Sequence, residues 1–186
     1  MTAMAKPRAL FLDRDGVINA DAGYTYKIET FHFIDGVFDL CRTAHALGYL
    51  LIIATNQAGI GRGYYTEADF QHLTAWMKDC FAAEGAPLTA VYHCPYHPDG
   101  VGEYRKQSDW RKPAPGMLLQ AAVDFSLDMP ASLLIGDSEH DIAAARAAGL
   151  GAAVRFGDPA TVISAADRIF ATHAEISAWL SRFSAK

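Results

Sequence analysis

A short apolar run, Ala9-Leu10-Phe11-Leu12, stops at Asp13-Arg14-Asp15-Gly16, and no other stretch restricts the fold and chemistry of this chain so tightly. Residues two apart on an extended chain point the same way, so the spacing predicts paired carboxylates at the exit of a buried strand. Like charges this close repel unless a cation or a proton lies between them. Mg²⁺ suits the position, because it takes oxygen ligands, usually one or two carboxylates together with phosphate oxygens and water. The plainer alternative is an acidic turn in which Gly16 merely makes the bend. The choice depends on what the other strand ends carry.

Short apolar runs alternate with segments of helical period along the chain, the pattern of a parallel α/β sheet. Strands are predicted at Arg8–Leu12, Tyr49–Ala54, Thr89–His93, Ser132–Ile135 and Ala152–Arg155, with a short sixth at Arg168–Phe170. Helices are predicted at Gly36–Leu47, from Thr66 to about Glu84, and at Gly116–Phe125, His140–Ala148 and Glu175–Phe183. Pro115 suits a first helical turn. Thr66-Glu67-Ala68-Asp69 resembles a capping box with Asp in place of Glu. With no repeat and no linker, residues 1–186 are expected to form a single domain. Two connections, Asp15–Asp35 and Cys94–Lys112, are long for such a fold, and loops of that length are usually functional. Both follow strands at their carboxyl ends, where open α/β sheets place ligands.

Three further strand exits carry polar groups. Thr55-Asn56 follows Leu50–Ala54 and offers a hydroxyl and an amide, although capping or turn roles are commoner for these residues. Arg111-Lys112-Pro113 precedes the fourth helix. Lysine there can neutralise a transferring phosphoryl group and arginine can grip a second phosphate, although most such pairs are solvated surface cations. Gly136-Asp137-Ser138-Glu139-His140-Asp141 follows Ser132–Ile135, where Asp137 suits a metal ligand and Asp141 could orient its neighbours; acidic residues also favour helix N-termini. Each bland reading holds singly. Together the four exits supply nucleophile, acid/base, hydroxyl, cation and metal ligand.

An Asp-x-Asp, a Thr, a Lys and a Gly-Asp-x-x-x-Asp, in that order after successive strands, resemble the haloacid dehalogenase (HAD) superfamily over roughly residues 8 to 156. The closer features are Asp21–Tyr24, Phe33–Val37, Thr55–Ile60, Arg62-Gly63, Leu73–Met77, Arg111–Pro113 and Pro115–Leu118. They resemble the branch that removes the 7-phosphate of D-glycero-D-manno-heptose 1,7-bisphosphate in lipopolysaccharide core precursor synthesis. The histidinol-phosphate phosphatases are a sister branch, less similar around Gly23-Tyr24 and Arg62-Gly63.

The resemblance implies a three-layer α/β/α Rossmannoid fold with a mostly parallel sheet and no cap domain. It implies an Mg²⁺-dependent phosphatase in which Asp13 is the nucleophile and Asp15 the acid/base. Thr55 and Lys112 would stabilise the phosphoryl group. Asp13, Asp137 and the backbone carbonyl of Asp15 would hold Mg²⁺. Asp21, Ala22, Gly23, Tyr24, Asn56, Gln57, Ala58, Arg62 and Arg111 would meet a sugar bisphosphate.

The superfamily branch often carries a zinc loop, Cys-x-His followed by Cys-x-Cys before Arg-Lys-Pro. Here the two halves read Cys94-Pro95-Tyr96-His97 and Ser108-Asp109-Trp110. Structural zinc wants four nitrogen or sulfur ligands. No structural zinc is therefore expected, and Trp110, Tyr96 and Tyr104 are expected to order the loop by packing. His93 and His97 are expected to be loop or surface residues. The Gly59–Gly63 run lacks the spacing of a dinucleotide loop.

A net charge of −5 argues against a nucleic-acid or acidic-membrane partner. Three scattered cysteines, Cys41, Cys80 and Cys94, suit a reducing compartment. No apolar stretch approaches the ~20 residues of a membrane span, so a cytoplasmic protein is expected; the chain is also expected to be a monomer. A phospho-accepting signalling domain would share Asp, Mg²⁺, Thr and Lys. Asp15, two residues past the nucleophile, favours turnover over storage of an acyl phosphate.

Overall fold

Along the first strand, Leu10 and Leu12 turn to one face while Ala9 and Phe11 turn to the other, and all four are fully buried. Burial on both faces is the mark of a central parallel strand covered by helices on each side. The computed structural model, which describes residues 5–184, has that architecture. The strands are β1 (Arg8–Leu12), β2 (Tyr49–Asn56), β3 (Ala90–Cys94), β4 (Leu133–Gly136), β5 (Ala152–Phe156) and β6 (Arg168–Phe170). They pair in the order β3-β2-β1-β4-β5-β6, and every pairing is parallel.

The helices are α1 (Val37–Ala46), α2 (Ala58–Gly61), α3 (Glu67–Ala83), α4 (Gly116–Phe125), α5 (Glu139–Ala147) and α6 (His173–Phe183). Leu10, Leu12, Leu51, Ile53, Leu133 and Ile135 pack with apolar residues of α1, α3 and α6. Phe11, Ile52, Ala54, Leu134 and Ala153 pack with those of α4 and α5 on the opposite face. Each large apolar side chain withdrawn from water in these two layers contributes about 1.5–3 kcal/mol.

Several boundaries move from their sequence positions for local reasons. β2 continues through Thr55 and Asn56 because β3 pairs with it as far as Cys94. α6 starts at His173, since Thr172 and Glu175 cap it reciprocally. α5 starts at Glu139 behind the Ser138–Asp141 capping box. The Thr66–Asp69 box forms as predicted. Pro115 is the residue before the first turn of α4, not within it. The four-residue α2 is too short to leave a periodic signal.

Order reverses at β1: β2 and β3 lie to one side, β4 to β6 to the other. Loops leaving β1 and β4 therefore diverge and open a crevice at the carboxyl end of the sheet, the usual ligand position in open α/β folds. The long connections add no domain there. Residues 16–36 carry one 3₁₀ turn, Ile28–Thr30, and residues 95–115 carry another, Gly102–Tyr104.

Candidate active site

Asp13 leaves β1 with its N–H still donating to Ile135 O of β4 at 3.0 Å, which places its carboxylate at the crevice. Lys112 reaches it from the far end of the second long connection, Nζ lying 2.9 Å from Asp13 Oδ1. The same ammonium contacts Asp141 Oδ1 and donates to Ala54 O at 2.7 Å. Lys112 is 2% exposed. Burial works against its charge, but the carboxylates of Asp13 and Asp141 outweigh burial and hold its pKa above the ordinary lysine value. Burial likewise raises Asp13 to about 7, with Asp141 and Asp15 adding to the rise and Lys112 opposing it. Asp137, after β4, is raised to about 6 by burial and by Asp141.

Asp13, Asp137 and Asp141 each bring a carboxylate oxygen within 4.8 Å of the others. Asp141 is already occupied: one oxygen faces Lys112, the other accepts from Ser138 N and Oγ at 3.1 and 2.6 Å. It clamps the lysine and caps α5. Asp13 and Asp137 remain, and Gly16 lets them approach. Its φ of +83° belongs to glycine, and a Cβ there would lie 2.0 Å from Asp137 Oδ2.

The Asp15 side chain lies outside this group; the expected metal set takes its backbone carbonyl, not its carboxylate. The strand ends at Leu12, and Val17, Ile18 and Asn19 N–H all turn back to Arg14 O, so the alternation of an extended chain does not apply. Asp15 accepts instead from Arg14 Nη2 at 2.8 Å, Asn19 Nδ2 at 3.0 Å and Gln57 Nε2 at 3.0 Å. Arg14, 1% exposed, also donates to Thr25 O at 2.7 Å.

Two expected substrate contacts are spent on this scaffold. Gln57, 1% exposed, bridges Asp15 to Thr55 Oγ1 at 2.9 Å, and its carbonyl oxygen accepts from Tyr65 OH. Asn56 exchanges two 3.0 Å hydrogen bonds with the backbone of Lys112. Their amides therefore orient the acid/base candidate and the lysine. Sequence reasoning gave Arg14 no part, although a cation between two acids was a visible signal. It also passed over Tyr65 and Arg155. Arg155 pairs with Gly136 in the sheet, its Nε and Nη1 are buried without partners, and its charge opposes the upward shift of Asp137.

The remaining expected contacts form the rim. Asp21, Ala22, Gly23 and Tyr24 are exposed, and Asp21 Oδ1 accepts from Gly23 N at 2.9 Å. Tyr24 OH accepts from Arg62, whose Nη2 lies 3.2 Å from His97 Nε2. Ala58 is half-buried at the start of α2. Arg111 is half-buried and its Nη1 has no partner. A cleft of about 440 Å³ joins His97, Ser108, Arg111 and His140 to Lys112.

In the second connection Tyr96 and Tyr104 lie 6.1 Å apart, whereas Trp110 packs on Tyr92 instead of joining them. Cys94 is buried, His97 faces Arg62, and His93 pairs with Glu67 at 2.8 Å while stacking on Phe70. Among the described residues these side chains do not assemble into a metal-ligand group; the aspartate cluster does.

A family model described as HAD-hydrolase-like matches residues 109–157. D-glycero-α-D-manno-heptose-1,7-bisphosphate 7-phosphatase of Burkholderia mallei is 61% identical over 147 residues, 78% of each chain. The Escherichia coli K12 protein named for the β form is 49% identical over 156 residues, 82% of each chain. The crystal structure of D,D-heptose 1,7-bisphosphate phosphatase from B. bronchiseptica, complexed with magnesium and phosphate, has a TM-score of 0.81 at 26% identity. It covers 95% of this chain and 99% of that one.

Proposed function

This chain belongs to the D-glycero-D-manno-heptose-1,7-bisphosphate 7-phosphatase family of HAD-like hydrolases, and from that membership we infer how its residues divide the work. It hydrolyses the 7-phosphate of a heptose 1,7-bisphosphate, a step toward lipopolysaccharide core. An Asp13 oxygen attacks phosphorus, and the bond from phosphorus to the sugar oxygen breaks. Asp15 gives that oxygen its proton. Asp15 then takes a proton from water, whose oxygen attacks the aspartyl phosphate and frees Asp13 and inorganic phosphate. Lys112 and Thr55 hold the phosphoryl oxygens as charge moves onto them.

The observation that carries this reading is the divergence of two neighbouring carboxylates. Asp13 sits with Lys112 and Asp137, while Asp15 is held by Arg14, Asn19 and Gln57. Separate environments are what separate chemical roles require. Asp13 and Asp137 offer a divalent cation a half-buried, all-oxygen pair, and the Asp15 carbonyl would complete the protein's share of an Mg²⁺ site. When bound, Mg²⁺ supplies neutralising charge for the phosphoryl group.

Arg111 and Arg62, with Tyr24 and Asp21–Gly23, receive the sugar and its distal phosphate. The three cysteines are free, in keeping with a reducing cytoplasm; a monomer is part of the same proposal.

Phosphate release from both anomers of the heptose bisphosphate, from heptose 7-phosphate and from histidinol phosphate, with Mg²⁺ and with chelator, tests the assignment. Fast turnover of a heptose bisphosphate that chelator abolishes is expected. Preference for histidinol phosphate would move the chain to the sister activity. A long-lived acyl phosphate without turnover would move it to signalling.

A further inference from the structure

The Arg62 guanidinium lies against the His97 ring, its Nη2 3.2 Å from Nε2 and 3.5 Å from Nδ1. The N–H of Asp99 donates to His97 Nδ1 at 3.0 Å, so the neutral ring carries its proton on Nε2. Arg62 Nη2, being close to both ring nitrogens, sits off the Nε2–H direction, so that N–H finds no acceptor in Arg62. Nearby, Arg62 Nε and Arg111 Nη1 are buried without partners. Among the described residues the one carboxylate within 4 Å of either group is Asp99, highly exposed, 3.6 Å from His97 Nδ1 and 3.7 Å from Arg62 Nη2. His97 also lines the cleft that leads to Lys112. Such a cluster lacks an anionic oxygen at its centre.

We propose that His97 is the pH-dependent selector for the substrate's distal phosphate: His97 Nε2–H and Arg62 donate to that phosphate, and the ring takes up a proton as it binds. This deepens the bisphosphatase reading and rests on it.

The groups facing His97 are Arg62 after α2, Arg111 at the end of its own connection, Asp99 beside it and His140 across the cleft. Burial, Arg111 and Arg62 together hold His97 below the ordinary histidine value, and Asp99 opposes them. A phosphate dianion reverses the sign of that field, so the ring gains a proton at pH values where the free protein leaves it neutral. Its Nδ1–H then turns to the Asp99 carboxylate in place of the Asp99 N–H. By linkage, the bisphosphate gains on a monophosphate as pH falls.

The test compares kcat/KM for the heptose bisphosphate with kcat/KM for heptose 7-phosphate, from about pH 8 to about pH 6, in wild type and H97Q. The wild-type ratio should rise more steeply than that of H97Q, by roughly three- to tenfold across the range. The difference should lie in KM. Titration of the distal phosphate itself is common to both proteins and cancels. Parallel curves overturn the proposal. Should H97Q fold poorly, D99N serves instead, and the wild-type midpoint should move to lower pH; an unmoved midpoint counts against it.

The NMR titration of the His97 ring with α-D-mannose 1-phosphate should show its pKa rising on binding. No movement at saturation overturns the role. Because this readout needs no turnover, it still decides on His97 if the heptose bisphosphate proves not to be the substrate.

Discussion

The Cα of Gly16 abuts the carboxylate of Asp137: a Cβ built there would lie 2.0 Å from Oδ2 and 2.6 Å from Cγ. One missing methyl group is what lets the loop after β1 and the loop after β4 share a single crevice.

Gly16→Ala should therefore push Asp137 away from Asp13. Displacement of about an ångström costs on the order of 10²-fold in rate. The positive φ adds roughly 1–2 kcal/mol of backbone strain. Activity titrated against Mg²⁺ should show both a lower plateau and a weaker midpoint. An unchanged midpoint would mean that Asp137 does not hold the ion.

Asp13→Asn should lower turnover by at least ~10³-fold while the fold persists. It should also change stability in a definite direction. Burial raises Asp13 to about 7 from 3.8, so between those values the folded chain binds more protons than the unfolded one. Stability of chelated wild type then falls as pH rises through that window. In chelator near pH 8 the variant should melt above wild type, by ~2–4 °C for each kcal/mol relieved. Saturating Mg²⁺ should close the gap. Equal melting temperatures in chelator would show that the carboxylate is not strained by burial.

Gln57→Leu separates two roles for one amide. If Gln57 positions Asp15 and Thr55, kcat should fall ~10- to 10²-fold with little change in KM. Leaving Tyr65 OH and Arg14-bound Asp15 short of a partner should also destabilise by about 1–3 kcal/mol. A rise in KM with kcat intact would return the residue to the substrate.

His173, fully buried at the start of α6, stacks on Phe156 and donates from Nδ1 to Asp35 O at 3.0 Å. Burial holds its pKa below 6.5. A folded value beneath the unfolded one gives stability that is complete above pH 6.5 and is lost as pH falls, about 1.4 kcal/mol per unit of depression. With Mg²⁺ saturating, urea midpoints between pH 7 and about pH 5 should drop more for wild type than for His173→Asn. The reverse order would place the charged ring in the fold.

The strands and the groups at their exits were legible because burial on both faces makes a parallel strand a run of apolar letters, as in Leu10-Phe11-Leu12 and Leu51-Ile52-Ile53. The capping box at Thr66 was legible because its partners are three residues apart. The inner organisation of the site was not. Gln57 meets Asp15 across 42 residues, and Asn56 meets Lys112 across 56. Such partners are set by strand order, which local pattern does not encode. The expected alignment of Asp13 with Asp15 failed for a related reason, since the strand ends one residue before the first of them. The sequence makes Asp141 a residue that orients its neighbours, and its grip on Lys112 gives that notion its object.

The paired hydrogen bonds between Asn56 and the Lys112 backbone tether the long second connection to the sheet at the spot where its lysine enters the core. Detachment of that segment would carry the ammonium out with it while the six strands stay zipped. Heat inactivation should accordingly run ahead of global melting, and amide exchange around residues 108–112 should keep pace with the loss of turnover, not with the collapse of the sheet.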